Sequence, residues 1–397
     1  MMKLTGQNIL ILGAGKIGST IADMAAELHE ATVTLADMQP PPGNDPQIRP
    51  LQLDIDDDAA LTHALQQHSL VINALPFFCA ERVARAAARQ GVHYFDLTED
   101  VAAMRAIQDI AAQARSVLMP QCGLAPGLIG MLGGHLAQQF DELFDLQLRV
   151  GALTRHATNA LRYHFTWSVD GVINEYCKPC NTIVNGQPML VPPLEGVEPL
   201  ILDGENFEAF NTSGGLGTLC ETLQGRVRNL NYKTIRHPGH RDAMHLLLHG
   251  LRLIERRDLL RQVLEGAVPH SREDMVVVAA MASGKRAGRL EQLTRGARIF
   301  GAALRGRQRT AIELTTSAGM LAAVELFATG QLPQQGFVRQ EQCTLAALSS
   351  TRVAPFFVGL LGCSLYLTPI RRDCHDRHLR NRLPDRAEPL RHRTAGS

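Results

Sequence analysis

The chain reads NILILGAGKIG at residues 8–18, and this stretch decides the fold of its N-terminal part. An apolar run of strand length leads into Gly-x-Gly-x-x-Gly, a helix-like segment follows, and a second apolar run ends on Asp37. Gly13 permits a tight turn out of the strand, Gly15 leaves room for a phosphate beside the backbone, and Gly18 permits close packing of helix on sheet. The free amides at the helix start favour phosphate charge. The pattern predicts a dinucleotide-binding βαβ unit.

Asp37 indicates which dinucleotide is bound. A carboxylate at the end of the second strand accepts hydrogen bonds from both hydroxyls of an adenosine ribose and repels a 2′-phosphate. No arginine follows it directly, since the next residues are Met38-Gln39-Pro40. NAD is therefore the expected cofactor, and NADP is the alternative. The predicted cofactor-binding residues lie in the glycine loop and at neighbouring strand ends: Gly13, Ala14, Gly15, Lys16, Ile17, Gly18, Asp37, Asp54, Ala74, Leu75 and Pro76.

Size and composition restrict the class of protein. The 397 residues, 45% hydrophobic and 20% charged, are ordinary for a globular protein and sufficient for two domains. A net charge of +1 gives no reason to expect a nucleic-acid partner, and no apolar run is long enough for us to expect a membrane span. The N-terminus leads directly into the first strand, so we expect no signal peptide and a cytoplasmic protein with reduced cysteines.

The pattern of secondary-structure signals changes along the chain. Over residues 1–125 strand and helix signals alternate, which predicts an α/β fold: a Rossmann domain with a doubly wound parallel sheet. Residues 126–340 alternate apolar and polar positions between turns, which predicts a second α+β domain around an antiparallel sheet. Within it we predict an amphipathic helix over residues 244–264 and a turn over 291–296. Residues 341–397 are predicted to be an atypical basic tail, either disordered or read in a shifted frame.

Four segments after residue 120 resemble the saccharopine dehydrogenase family, most closely its bacterial branch that includes lysine 6-dehydrogenases. They are CGLAPG at 122–127, LRYHFTWS at 161–168, TSGGLGT at 212–218 and NYKTIRHPGH at 231–240. The resemblance covers residues 5–340. It implies that the second domain binds substrate and forms a homodimer. It also implies NAD(P)-dependent hydride transfer at a C–N bond of a small amino-acid substrate, either saccharopine or the ε-amine of lysine.

One departure from the family bears on the substrate. The fungal members carry a basic residue shortly after the Trp-Ser of the second segment, whereas Val169-Asp170 follows Ser168 in this chain. The additional carboxylates of saccharopine need arginine or lysine partners. The acidic residue therefore favours an amine-bearing substrate. Two other functions remain as alternatives: a dehydrogenase of a carboxynorspermidine-type polyamine precursor, and a catalytically inactive NAD(P)-sensing relative.

Amine oxidation needs a base with a pKa near neutrality and a cation for the substrate carboxylate. Asp96 is either that base or a turn carboxylate, and Cys122 either shapes the pocket or is a small buried residue. Tyr163 is either a substrate hydrogen-bond partner or a core residue. Lys233 acts as a base if it is buried, and Arg236 is a candidate carboxylate clamp. The alternative for both is an exposed strand.

His245 and His249 have the i, i+4 spacing of a metal-binding pair. The residues between them are leucines, without the glutamate of a zinc-protease motif, and the sequence offers no obvious third ligand. We therefore predict no metal site.

Overall fold

The structure is a computed structural model that describes residues 4, 7–41, 43 and 45–361. Strands and helices alternate in its N-terminal part, as predicted. They are β1 (Ile9–Leu12), α1 (Lys16–His29), β2 (Val33–Asp37), β3 (Ile48–Gln52), α2 (Asp58–Gln66), β4 (Leu70–Asn73), α3 (Ala80–Gln90), β5 (His93–Asp96), α4 (Val101–Ala111) and β6 (Val117–Met119).

These strands form a parallel sheet in the order β6-β5-β4-β1-β2-β3. The central strands β1 and β4 are buried along their whole length, which explains their continuous apolar sequences. Pro50 lies in β3, at the edge of the sheet, where its missing N–H is tolerated. The predicted α/β, Rossmann-like architecture is confirmed.

The remaining elements build a second sheet and the helices around it. They are α5 (Leu128–Ala137), β7 (Glu142–Thr154), α6 (Val169–Cys177), β8 (Cys180–Val184), β9 (Gln187–Val191), β10 (Glu198–Leu202), β11 (Glu205–Asn211), α7 (Leu219–Leu223), β12 (Val227–Arg236), α8 (His240–His245), α9 (Arg257–Ala267), β13 (Asp274–Arg286), β14 (Arg289–Phe300), β15 (Ala302–Leu304), β16 (Arg307–Arg309), α10 (Ala311–Ala328), β17 (Gly336–Phe337), α11 (Leu345–Ser349) and α12 (Val358–Leu361).

The second sheet has the order β10-β11-β12-β7-β13-β14, with β8 beside β12 and β9 beside β8. The pair β12 and β7 is parallel, whereas the other described pairs of this sheet are antiparallel. The sheet is therefore mixed rather than purely antiparallel. At the end of the segment assigned to the second domain, β17 pairs in parallel with β6, so the chain returns to the first sheet.

The long helix α10 packs against both α1 and β13 and so connects the two sheets. It begins with a capping box formed by Thr310 and Glu313, and Asp274 accepts hydrogen bonds from the N–H groups of Ala311 and Ile312. By length and composition α10 is apolar enough to cross a membrane, but most of it is buried inside the protein. That burial is the pattern of a core helix.

Two local predictions are wrong. The single helix predicted over residues 244–264 is divided into α8, a π-helical turn at Leu246–Gly250, a 3-10 turn at Leu253–Glu255 and α9. Arg252 has a left-handed φ of 56° and interrupts the helical path. The predicted turn over residues 291–296 lies inside β14 and pairs throughout with β13. Both faces of the strand are at least partly exposed over these residues, which accounts for their polar character.

The predicted tail of residues 341–397 is described only as far as residue 361. Leu345, Leu348 and Phe357 are buried in the hydrophobic cluster that also contains residues of α1, α5 and α10. Residues 341–361 are therefore part of the fold. The arginine-rich segment that begins at Arg371 lies outside the described residues, and both hypotheses for it stay predictions.

We expect Gly18→Ala to destabilise the first domain. A Cβ atom at residue 18 would lie 1.8 Å from the carbonyl oxygen of Gly13, so backbone would have to move. Such overpacking costs about 1–3 kcal/mol, which a shift of the urea unfolding midpoint would measure. Gly266→Ala is the control, because a Cβ atom there meets nothing within 4 Å. It should change stability by no more than about 1 kcal/mol, and in the favourable direction. Equal midpoints for the two variants would contradict the expectation.

Candidate functional site

A cavity of about 270 Å³ lies between the carboxyl ends of the first sheet and one face of the second. The loops after β4, β5 and β6 supply one wall, together with Ile17 at the start of α1. Strands β7 and β12 and the helices α6 and α10 supply the rest. Ligands of open parallel sheets collect at these strand ends, so the position agrees with a site for a small molecule.

The glycine loop is built as a dinucleotide fold requires. Gly13 has a φ of +97°, and a Cβ atom there would lie 3.0 Å from the carbonyl oxygen of Ala74. Gly18 packs against the backbone of Gly13, which brings α1 close to the sheet. At exposed Gly15 a Cβ atom would meet nothing within 4 Å, so the side of the loop where phosphates bind is open. The loop therefore fits a pyrophosphate group.

Asp37 lies at the end of β2 beside this loop. Its carboxylate accepts hydrogen bonds from the N–H of Ala14 at 2.8 Å and from the N–H of Gln39 at 3.0 Å. The side chain is partly exposed, so these bonds fix the carboxylate without burying it. A negative charge is thereby held next to the glycine loop.

The other predicted cofactor residues divide into two groups. Ile17 and the segment Ala74, Leu75 and Pro76 line the cavity. Lys16 and Asp54 are exposed and lie outside the cavity lining, and Asp54 accepts a hydrogen bond from the N–H of Asp56 at 2.9 Å. Cofactor binding by these residues stays a prediction.

Asp96 is buried at the end of β5 and connects two strand ends. Its carboxylate accepts hydrogen bonds from the hydroxyl of Tyr94 at 2.7 Å, the N–H of Thr98 at 3.0 Å and the N–H of Gln121 at 2.8 Å. Burial raises the pKa of Asp96 to about 6, although these three bonds lower it. The residue does not line the cavity. Its hydrogen bonds instead position the loops after β5 and β6, which carry lining residues. The role of Asp96 as the catalytic base stays a prediction.

Cys122 is completely buried, and its Sγ donates a hydrogen bond to the carbonyl oxygen of Met119 at 3.2 Å. Burial raises the pKa of the thiol well above its ordinary value. The group is therefore a neutral thiol, which agrees with a small buried residue beside Gly123. Gly123 lines the cavity, whereas Cys122 does not.

Strand β12 places Lys233 and Arg236 on opposite sides of the second sheet. Tyr232, Thr234 and Arg236 line the cavity, as the two-residue period of a strand requires. Lys233 points the other way and forms an ion pair with Glu198. The prediction of Lys233 as a base inside the site has no support in this geometry, because its side chain lies on the face away from the cavity.

Arg236 is a buried cation that lines the cavity, with 2% of its surface exposed. Its Nε donates to the hydroxyl of Tyr176 at 2.9 Å, and its Nη1 donates to the carbonyl oxygen of Ile235 at 2.9 Å. Burial alone lowers its pKa, but Tyr176, Tyr163 and Glu175 raise it on balance, so the charge is kept. Among the described residues, no carboxylate lies within ion-pair distance of this guanidinium.

Tyr163 does not line the cavity but packs against the guanidinium of Arg236. Its ring centroid lies 5.2 Å from the guanidinium carbon, and the ring packs edge-on against Phe165 at 5.4 Å. The residue is buried within the core of the second domain. A direct contact between Tyr163 and substrate stays a prediction. The burial of the ring agrees with a core residue, but its hydroxyl has no hydrogen-bond partner among the described residues, whereas the core alternative expected a satisfied one.

The glycine-rich segment at residues 212–218 is fixed by close packing on two lining residues. A Cβ atom at Gly215 would lie 2.3 Å from the ring of Tyr232, and one at Gly214 would lie 2.3 Å from the carbonyl oxygen of Glu99. The segment therefore packs closely against both the loop after β5 and strand β12. Larger residues at either position would displace the cavity wall.

Two lining carboxyl groups were missed among the catalytic and binding candidates of the sequence. Glu99 follows the end of β5, and burial raises its pKa to about 7, with a further increase from Asp100. Glu175 lies in α6, and burial raises its pKa to about 8, although Arg236 lowers it. The rule that strand ends meet the ligand could have found Glu99. No sequence signal marks Glu175, because its burial depends on tertiary packing.

Two family models match most of the chain. The model of the saccharopine dehydrogenase NADP binding domain matches residues 9–119, and that of the saccharopine dehydrogenase C-terminal domain matches residues 123–350. Apo histidine-tagged saccharopine dehydrogenase (L-Glu forming) from Saccharomyces cerevisiae has a TM-score of 0.69 and 18% identity, covering 88% of this chain and 96% of that one. At that identity the likeness shows the fold alone.

Two curated relatives are similar to part of the chain. Mitochondrial alpha-aminoadipic semialdehyde synthase of Mus musculus is 25% identical over 263 residues, which are 57% of this chain and 27% of the relative. Saccharopine dehydrogenase [NADP(+), L-glutamate-forming] of Schizosaccharomyces pombe is 23% identical over 180 residues, 42% of this chain and 39% of the relative. The matches thus span less than half the length of these relatives. The predicted link to lysine 6-dehydrogenases stays a prediction, whereas the two matched domain models establish that the chain belongs to the saccharopine dehydrogenase family.

Proposed function

We propose that this chain is a nicotinamide-dependent dehydrogenase that transfers hydride at a C–N bond of an amino acid. The observation that carries the proposal is Arg236, a buried guanidinium that lines the cavity without a carboxylate partner among the described residues. A buried charge without a counter-ion is unfavourable, so a bound anion is expected to complete the site. The carboxylate of an amino acid matches the planar, bidentate geometry of arginine.

The residues around the glycine loop are suited to hold the dinucleotide. The amides at the start of α1 would hold its phosphates on the open side of Gly15, and Asp37 would accept hydrogen bonds from its ribose. When bound, a nicotinamide dinucleotide supplies the group that accepts or donates the hydride. The loops at Ala74–Pro76 and Gly123–Pro126 border the cavity and would exclude water from the reacting atoms.

The amine must lose a proton before hydride can leave its carbon. Glu99 lines the cavity on the side of the first sheet, and burial holds its pKa at about 7. A carboxyl group with this pKa accepts a proton at neutral pH more effectively than an ordinary glutamate does. We therefore propose Glu99 as the proton acceptor, with Asp96 acting indirectly through the loop that carries Glu99.

We further propose that the chain prefers NAD. The family model and the fission yeast relative are named for NADP, so this preference would distinguish the chain from them. The support is the fixed carboxylate of Asp37, which would repel a 2′-phosphate. No lysine or arginine follows it in the segment Met38–Pro40 to compensate.

Asp37→Asn is expected to shift the cofactor preference toward NADP. The amide keeps the shape of the side chain but removes the charge, so the ratio of NADP to NAD affinity should rise about tenfold or more. Dissociation constants measured by calorimetry on the full chain test this. Asp109→Asn, on the exposed face of α4, is the matched control and should leave the ratio unchanged. A wild-type protein that binds NADP more tightly than NAD would refute the preference.

Arg236→Lys is expected to lower kcat/KM for the amino-acid substrate by about 10- to 100-fold, because a charged hydrogen bond is worth about 1.5–3 kcal/mol. Cofactor affinity should stay within about twofold, which also reports that the variant is folded. Initial rates of cofactor reduction with lysine, saccharopine and a carboxynorspermidine-type precursor measure the effect.

Lys233→Met is the matched control for Arg236→Lys, since Lys233 lies on the other face of the same strand. Its kcat/KM should stay close to that of the wild type. A complete loss of activity with intact cofactor binding would restore Lys233 as the base. Tight cofactor binding by the wild type without reduction by any amine would instead favour the NAD(P)-sensing alternative.

A further inference from the structure

The charged groups that line the cavity are unbalanced. Three carboxyl groups line it, those of Glu99, Asp170 and Glu175, whereas Arg236 is the basic residue among the described lining residues. A substrate with several carboxylates would therefore meet one cation and three acidic groups. A substrate with one carboxylate and more than one amine would meet a complementary surface.

Glu175 presents a carboxyl group to the cavity without a hydrogen-bond partner among the described residues. The residue is 6% exposed and lines the cavity, and no described donor forms a hydrogen bond with its carboxyl group. Its carboxyl oxygens are open to the cavity, so a ligand that carries hydrogen-bond donors would meet them there. An ammonium group offers three such donors.

Arg236 and Glu175 interact but do not pair. Arg236 lowers the pKa of Glu175, yet the two side chains form no ion pair in the described part of the chain. Both are more than nine-tenths buried, and both line the same cavity. A group that carries a carboxylate and an ammonium next to each other would satisfy both side chains at once.

We propose, building on the proposed function, that Arg236 and Glu175 together bind the carboxylate and ammonium of an α-amino-acid head group. Glu99 and Asp170 then select a second amino group over a second carboxylate along the substrate side chain. The substrate class is an α-amino acid with a side-chain amine, and Glu175 is its specificity-determining residue. Conjugates with several carboxylates, such as saccharopine, are poor ligands of this cavity.

Binding of such a substrate is coupled to proton release. Burial raises the pKa of Glu175 to about 8, so near neutral pH its carboxyl group is largely protonated in the free protein. An ammonium group beside it stabilises the carboxylate, and the proton passes to the buffer. The groups that face Glu175 are Arg236 and Tyr232 from β12, Glu99 from the loop after β5, Cys180 from β8, Tyr163 and the adjacent Tyr176.

Calorimetry on the full chain with saturating reduced cofactor, which cannot oxidise the amine and so prevents turnover, tests the proposal. Four probes separate the contributions of the substrate groups. Lysine carries all of them, norleucine lacks the side-chain amine, 2-aminoadipate has a carboxylate in place of that amine, and 1,5-diaminopentane lacks the α-carboxylate. Lysine should bind about tenfold or more tightly than each of the other three. Titrations in two buffers of different ionisation enthalpy should show proton release when lysine binds.

Glu175→Gln should weaken lysine binding about tenfold or more and abolish most of the proton release, because the amide carries no charge. Glu175→Asp, which keeps the carboxyl group, should retain part of the lysine affinity and part of the proton release. Glu265→Gln, on the exposed surface of α9, is the matched control and should change neither. Unchanged cofactor affinity in each variant shows that the protein is folded.

Two results would overturn the proposal. One is binding of 2-aminoadipate or saccharopine as tight as that of lysine, and the other is an unaltered lysine affinity in Glu175→Gln. Neither would remove the proposed function, because a dehydrogenase of a dicarboxylic amino acid would still reduce the cofactor. The proposed function fails separately, if no amino acid supports cofactor reduction by a wild-type protein that binds the cofactor.

Discussion

The buried carboxylate of Asp96 is the interaction on which the cavity depends. It accepts the hydroxyl hydrogen of Tyr94 and the N–H groups that open the loops after β5 and β6, those of Thr98 and Gln121. The Tyr94 hydroxyl also accepts a hydrogen bond from Asn73 at the end of β4. Three neighbouring strand ends are therefore held by one network, and the loops that follow them form a wall of the cavity. Such buried networks are stable only when every member is satisfied, which makes this edge of the sheet rigid.

The second domain supplies what the first cannot, a cation inside the site. Strand β12 pairs in parallel with β7, and this register turns Tyr232, Thr234 and Arg236 toward the strand ends of the first sheet. The alternate residue Lys233 joins Arg149 around the carboxylate of Glu198 on the opposite face. The same strand thus directs Arg236, which has no ion-pair partner among the described residues, toward the cavity, whereas Lys233 is paired with Glu198 on the other face. The difference decides which basic residue of the segment is available to a ligand.

The nucleotide-binding part of the fold could be predicted from the sequence because its motif depends on contacts between residues that are close together in the chain. The turn at Gly13 and the packing of Gly18 depend on backbone sterics that any sequence with this spacing must satisfy. The second domain follows other constraints. Whether Lys233 or Arg236 faces the site depends on sheet register, and residues 289–300 form a strand because β13 pairs with them. These are tertiary outcomes that periodicity within one segment does not contain.

Helix α6 shows why the acidic character of the site is informative. Asp170 lies in its first turn, after the N-cap Ser168, where the helix dipole favours a negative charge. Glu175 lies near the opposite end of the same helix, buried and without a described donor, where no such support exists. Burial raises the pKa of Glu175 to about 8, and an ammonium group beside it would favour the carboxylate form. A helix that presents two acidic side chains to the cavity supports the proposed amine-bearing ligand, and Arg236 is the basic residue among the described lining residues that could bind its carboxylate.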